Sequence, residues 1–231
     1  MKRKIKPPFF EIGVKNYLFG DQVLELALAA DAAAAKYDID VLFITPYTEI
    51  RRVAEAAEHL IVFAPYMDLL RPGSGMADIL PEALKAAGAA GVVLNHSERP
   101  ISLYHLMKGI QRADELEMLS FVCTGSIPET QAAAQLHPDI INPEPAELIG
   151  TSGGGDISFT GMARKAARKI DSGILIEHAA GISCADDVYN GIKMGFEGVG
   201  VASGICRAAD PCAMAEKMIY AVRRALEDGN R

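Results

Sequence analysis

Eight short apolar runs alternate with eight amphipathic segments along 231 residues. That alternation predicts an α/β fold, a (β/α)8 barrel of parallel strands surrounded by helices. Two further observations support it. The connections are short, which favours right-handed strand–helix–strand crossovers. The strand-like runs are also mostly apolar, as parallel strands buried on both faces require. The chain, 1–231, reads as one such domain, with no linker or low-complexity tract. A doubly wound open sheet is the competing topology. Its nucleotide fingerprint would follow the first strand, where the sequence reads Gly13-Val14-Lys15-Asn16-Tyr17 with no GxGxxG.

The elements follow in order. A strand over Phe9 to Val14 leads to a helix over Asp21 to Tyr37, whose Val23, Leu26, Ala27 and Ala30 recur at helical spacing. Ile39 to Ile44 pairs with a helix over Thr48 to Glu58, Leu60 to Ala64 with Asp78 to Ala87, and Gly91 to Leu94 with Ser102 to Leu116. The second half repeats the pattern. Leu119 to Cys123 precedes Pro128 to Leu136, Asp139 to Asn142 precedes Thr160 to Lys169, Gly173 to Glu177 precedes Cys184 to Met194, and Val199 to Ala202 precedes Pro211 to Glu227.

Half of the residues are apolar and 23% are charged, so the chain is globular and can bury a sizeable core. A net charge of −7 argues against nucleic acid or an anionic membrane as partner. It leaves room for a small phosphorylated substrate, since backbone N–H groups bind phosphate locally. The basic start (Lys2, Arg3, Lys4, Lys6) runs into Pro7-Pro8, Glu11 and Lys15, so no signal-peptide core forms, and no apolar stretch is long enough to span a bilayer. Cys123, Cys184, Cys206 and Cys212 show no CxxC or zinc spacing and read as reduced thiols of a cytoplasmic protein.

A barrel carries its chemistry at the C-terminal ends of its strands. Lys15 follows the first strand, Asn95-His96-Ser97-Glu98 the fourth, Glu144 the sixth, Glu177-His178-Ala179-Ala180-Gly181 the seventh and Ser203-Gly204 the eighth. Pro143 and Pro145 bracket Glu144 and hold its carboxylate on an extended backbone. A glycine-rich stretch then offers a lid. A lysine, a histidine and a rigid glutamate without a nucleophilic serine or cysteine form a proton-transfer constellation. Small residues after strands seven and eight are where barrels commonly bind phosphate.

The segments Leu94-Asn95-His96-Ser97-Glu98, Pro143-Glu144-Pro145-Ala146-Glu147-Leu148-Ile149-Gly150-Thr151 and Val201-Ala202-Ser203-Gly204 resemble triosephosphate isomerase in its short archaeal-type form. Arg71-Pro72-Gly73-Ser74-Gly75, Leu80-Pro81-Glu82-Ala83 and Ala180-Gly181-Ile182-Ser183 extend the resemblance over nearly the whole chain, in order. It implies a TIM barrel in which Glu144 moves a proton between adjacent carbons, His96 polarises the carbonyl as neutral imidazole, and Lys15 stabilises the enediolate. It further implies phosphate contacts at Ile149, Gly181, Ala202 and Ser203, and Glu98 holding either Lys15 or a neighbouring subunit's contact. The lid would comprise Gly150, Thr151, Gly153, Gly154 and Gly155. The reaction would need no metal or organic cofactor, and the chain would be a dimer or tetramer. Ser97, Glu98 and Pro100 look like a helix start beside His96.

Four departures bear on substrate and assembly. Gly13 stands at a substrate-facing position where the family has an asparagine. Phe63-Ala64-Pro65-Tyr66-Met67-Asp68 replaces a Gln-His pattern. The lid holds three successive glycines, and Glu177-His178-Ala179 stands where relatives have small residues. His178 is open to two readings, a substrate contact or an imidazole satisfied locally. The missing amide at Gly13 and the added His178 raise a four-carbon ketose phosphate (a tetrulose phosphate) as an alternative substrate, the Phe63–Asp68 change bears on the oligomeric state, and the departures around the pocket raise a catalytically silent phosphometabolite-binding paralogue as a further alternative. A metal enzyme built on His96, Glu98, Asp68 and His178 lacks any close ligand pair.

Overall fold

The computed structural model describes residues 2–145, 157–179 and 181–229. The strands are β1 (Phe9–Gly13), β2 (Val41–Ile44), β3 (Leu60–Ala64), β4 (Gly91–Leu94), β5 (Leu119–Thr124), β6 (Ile140–Pro143), β7 (Leu175–His178) and β8 (Gly198–Val201). They close as a parallel barrel in sequence order, with β8 returning to β1 through the pairing of Glu11 with Gly200. The helices are α1 (Asp21–Tyr37), α2 (Ile50–Ala56), α3 (Pro81–Ala86), α4 (Leu103–Glu115), α5 (Ile127–Ala134), α6 (Ile157–Arg168), α7 (Ala185–Lys193), α8 (Ser203–Cys206) and α9 (Pro211–Gly229).

Two apolar layers hold this arrangement. Outward-facing Phe10, Ile12, Val41, Phe43 and Val62 pack with Val23, Leu26 and Ile219 of the helices. Inward-facing Phe9, Leu42, Ile61, Phe63, Val93, Leu119, Phe121 and Ile140 fill the barrel. Glycines fit the large rings into this narrow interior: a Cβ at Gly198 would overlap the Phe9 ring, and one at Gly91 would overlap Phe63. Polar clamps secure the N-terminal end of the barrel. Asp139 accepts from the Ser120 N–H at 2.7 Å and pairs with Lys2 at 2.6 Å, while Glu197 pairs with Arg164 and Arg168 and accepts from the Ile176 N–H.

Element boundaries differ from the sequence expectation where proline or a single turn intervenes. The second helical segment opens as a 3-10 turn at Tyr47–Glu49 before α2. The third starts at Pro81 rather than Asp78, because the residue before proline is held extended and Leu80 has ψ 120°. The α8 turn, four residues long, is too short to show periodicity and was absent from the expectation. No helix start lies at Ser97. His96 to Arg99 form a turn, and α4 begins at Leu103 behind the Ser102 cap.

Candidate active site

The C-terminal end of the barrel opens into a cavity of about 360 Å³ lined by Gly13, Lys15, His96, Glu98, Glu144, Gly181, Ala202 and Ser203. These residues come from both ends of the chain and from five strand ends. Ile149 and the lid residues Gly150, Thr151, Gly153, Gly154 and Gly155 lie outside the described residues.

Local structure fixes each of the three central side chains. Lys15 takes a left-handed backbone, φ 48°, which turns the chain sharply off β1. Its Nζ reaches Glu98 Oε1 at 3.0 Å. Asn95 is also left-handed, φ 59°, and ties down the turn that follows β4. Its amide donates to the Cys123 carbonyl at 3.0 Å and to Glu129 at 2.8 Å, and its oxygen accepts from the Ile101 N–H at 3.0 Å. His96 sits inside this clamp. Glu144 continues the β6 ladder by donating its N–H to the Thr124 carbonyl at 2.8 Å, so the carboxylate leaves a fixed backbone.

The imidazole of His96 has a defined chemistry. Its Nδ1 accepts from the Glu98 N–H at 3.1 Å, so Nδ1 carries no proton and the neutral ring bears it on Nε2. Burial, and then the Lys15 charge, push its pKa below the usual 6.5. A turn amide and a nearby cation favour the neutral ring, with no helix N-terminus at Ser97. Burial raises the Glu144 pKa above the usual 4.5, Lys15 opposes that rise and Glu98 adds to it. Glu98 is pulled down first by its hydrogen bond to Lys15.

Gly181 and Ser203 both line the cavity, and the segments after β7 and β8 pack closely at Gly204. A Cβ there would lie 3.1 Å from the Ile182 carbonyl oxygen and 3.2 Å from the Ser183 Cα. Gly181 itself has φ 76°, a backbone that favours glycine.

His178 is turned away from the cavity. It is fully buried on the outer side of β7, with Nδ1 2.9 Å from Thr160 Oγ1 and its ring stacked on Phe196 at 5.2 Å. The substrate-contact reading of His178 is therefore overturned, because strand parity points it at α6 and α7. The four residues of the metal reading are likewise not brought together. Asp68 accepts from the Ile79 N–H at 2.7 Å in its own loop.

The inward partner of that strand is Glu177, which sequence reasoning listed without assigning. Glu11 on β1 was missed in the same way. A Cβ at Gly200 would overlap Glu11 Oε2 and lie 2.9 Å from Glu177 Oε2, so the two carboxyl groups stand side by side in the barrel. Glu11 Oε1 points the other way, 2.9 Å from where a Cβ at Gly13 would sit, and so fills the space that Gly13 leaves. The readable signal was a charged residue at an inward position of a buried strand. Tyr66 and Arg99 also line the cavity, with the guanidinium 4.1 Å above the ring.

Comparison with known proteins agrees with this geometry. The model of the family described as triosephosphate isomerase matches residues 12–218. A triosephosphate isomerase of Methanosarcina acetivorans is 34% identical over 93% of this chain and 99% of its own length. One from Methanobacterium bryantii is 34% identical over 88% and 92%, and one from Sulfurisphaera tokodaii 32% identical over 96% and 99%. With the match spanning the closed barrel and the cavity residues alike, the chain belongs to the triosephosphate isomerase family.

Proposed function

We propose that the protein is an aldose–ketose isomerase of the triosephosphate isomerase type, interconverting glyceraldehyde 3-phosphate and dihydroxyacetone phosphate through an enediolate. Glu144 takes the proton from one carbon and returns it to the next. Its raised pKa suits a base that must also give the proton back. The Nε2–H of His96 donates to the oxygen on which charge develops, and a neutral donor suits an enediolate that must be released again. Lys15 supplies the compensating cation. Phosphate is held by backbone N–H groups around Gly181, Ala202 and Ser203, with Ile149 completing the set.

The single observation that carries this reading is the hydrogen bond from the Glu98 N–H to His96 Nδ1, which leaves Nε2–H for the substrate. The test is a coupled isomerase assay on glyceraldehyde 3-phosphate. Glu144→Asp withdraws the carboxylate by one methylene and should lower kcat by about 10²- to 10⁴-fold with the fold intact, the range associated with a positioned base. An unchanged rate would remove Glu144 from the mechanism. Four-carbon ketose phosphates form the second reading, favoured by the carboxyl of Glu11 in the cavity wall beside Gly13, a polar group beyond those that the triose mechanism uses. The proton transfer is the same for both. Homo-oligomerisation, by analogy with the family, belongs to the same proposal.

A further inference from the structure

Three polar groups at or behind the cavity have no hydrogen-bond partner among the described residues. Both oxygens of Glu177 are fully buried and unpartnered, as are Asn142 Oδ1 on β6 and Thr45 Oγ1 beyond β2. Asn142, Thr45 and Glu11 line the cavity, while Glu177 stands directly behind Glu11. A buried polar group without a partner is costly, so one left facing a cavity calls for a ligand that supplies the missing bonds.

A triose phosphate does not supply enough. Apart from its phosphate it carries only the carbonyl and the hydroxyl that exchange during isomerisation, and His96, Lys15 and Glu144 serve those. Nothing remains on it for Asn142 and Thr45, nor for the bonding capacity that Glu11 keeps beyond its hydrogen bond with the Val201 backbone. We propose that Glu11, backed by Glu177, is a hydroxyl-reading floor that selects a phosphorylated sugar with at least one hydroxyl more than a triose. Glu11 is the specificity-determining contact and Glu177 its positioning residue. The inference rests on the isomerase reading for the pose of the substrate and, of that reading's two substrates, favours the four-carbon one.

The protonation of Glu11 suits this task. Burial and then the Glu144 charge raise its pKa to about 8, against Lys15 and the Val201 backbone, which pull it down. Glu177 rises above the carboxylate range through burial and then the Glu11 charge. At neutral pH Glu11 therefore presents both an O–H donor and a carbonyl acceptor, as a sugar hydroxyl requires. The titratable groups facing it are Lys15, Cys123 of β5, Glu144, Glu177 of β7 and Cys206 of α8.

Binding, rather than turnover, provides the test. Calorimetric titration at pH 6.5 with erythritol 4-phosphate and with glycerol 3-phosphate compares one hydroxyl more against one fewer. The wild type should favour the four-carbon ligand by about tenfold, the worth of one well-made hydrogen bond. Glu11→Leu should bring the two to parity, and Glu11→Gln should keep the preference, because an amide retains a donor and an acceptor. The wild-type preference should fade above about pH 8 as Glu11 ionises. In Glu177→Leu the four-carbon preference should shrink as Glu11 loses its neighbouring carboxyl, and Glu177→Gln, of the same shape, should retain it. A preference unchanged in Glu177→Leu would show that Glu177 does not position Glu11. Equal affinity, a preference for glycerol 3-phosphate, or a preference that survives in Glu11→Leu overturns the proposal; if Glu11→Leu does not fold, a wild-type preference that is constant to pH 9.5 does so. The two readings fail separately. Calorimetric preference without turnover on any sugar phosphate defeats the isomerase reading alone, and turnover without preference defeats this one alone.

Discussion

Lys15 stands between two carboxylates that use it differently. Its 3.0 Å pair with Glu98 is largely solvated, whereas its field also reaches the buried Glu144 and holds down a pKa that burial raises. Glu98 acts in the opposite sense, through its own charge on Glu144 and by drawing the ammonium aside. Removing that charge should therefore lower the Glu144 pKa. The expected outcome for Glu98→Gln is an acid limb of kcat/KM displaced to lower pH, because the proposed mechanism needs Glu144 ionised as base. A limb that stays in place or moves up would show that Glu98 does not act on Glu144. Lys15, His96 and Glu144 were readable in sequence because each follows a strand within a distinctive local motif. Glu11 and Glu177 were not. Parallel strands are apolar on both faces, so the sequence pattern of β1 and β7 does not tell which alternate residues point into the barrel.

At the scale of elements, the turn between β4 and α4 is the most over-determined segment of the site. Asn95 adopts a left-handed backbone and makes three side-chain hydrogen bonds, to β5, to α5 and to its own turn. Asparagine tolerates that conformation better than alanine. Asn95→Ala should cost about 2–4 kcal/mol, combining backbone strain with the loss of buried bonds, as read from the urea midpoint. Since His96 hangs from the same turn, kcat should also fall by about tenfold or more through its displacement. Wild-type kcat with lowered stability would separate the clamp from the catalytic geometry. The strand and helix order was plain from periodicity. The helix expected at Ser97 was a misreading of turn residues, since Ser97, Glu98 and Pro100 suit a tight turn as well as a cap.

For the whole molecule, the barrel interior makes stability depend on pH in an uncommon direction. Unfolded, Glu11 ionises near 4.5; folded, at about 8. Between those values the folded chain keeps a proton that the unfolded chain has lost. The contribution is therefore complete below 4.5 and is lost as pH rises to about 8, at up to about 1.4 kcal/mol per pH unit. Glu177 and Glu144 are shifted in the same direction. Salt-bridged carboxylates such as Glu98 and Asp171 are shifted downward and oppose this only in acid. Urea unfolding should thus show a higher midpoint at pH 5.5 than at pH 8.5, and Glu11→Gln should flatten the slope. A midpoint that rises with pH would show that the interior carboxyls are not protonated in the folded state. The sequence foretold the barrel but not this property, because a net charge of −7 says nothing about which acids are inside.

Gly200 sets the order in which such an interior can have arisen. A Cβ at that position overlaps Glu11 and crowds Glu177, so neither glutamate could be accommodated in its present place while a larger residue occupied the β8 site. The glycine is permissive and had to come first or together with them. The three positions therefore form one epistatic unit spread over β7, β8 and β1, since a larger residue at Gly200 would displace both carboxyl groups from where they now stand.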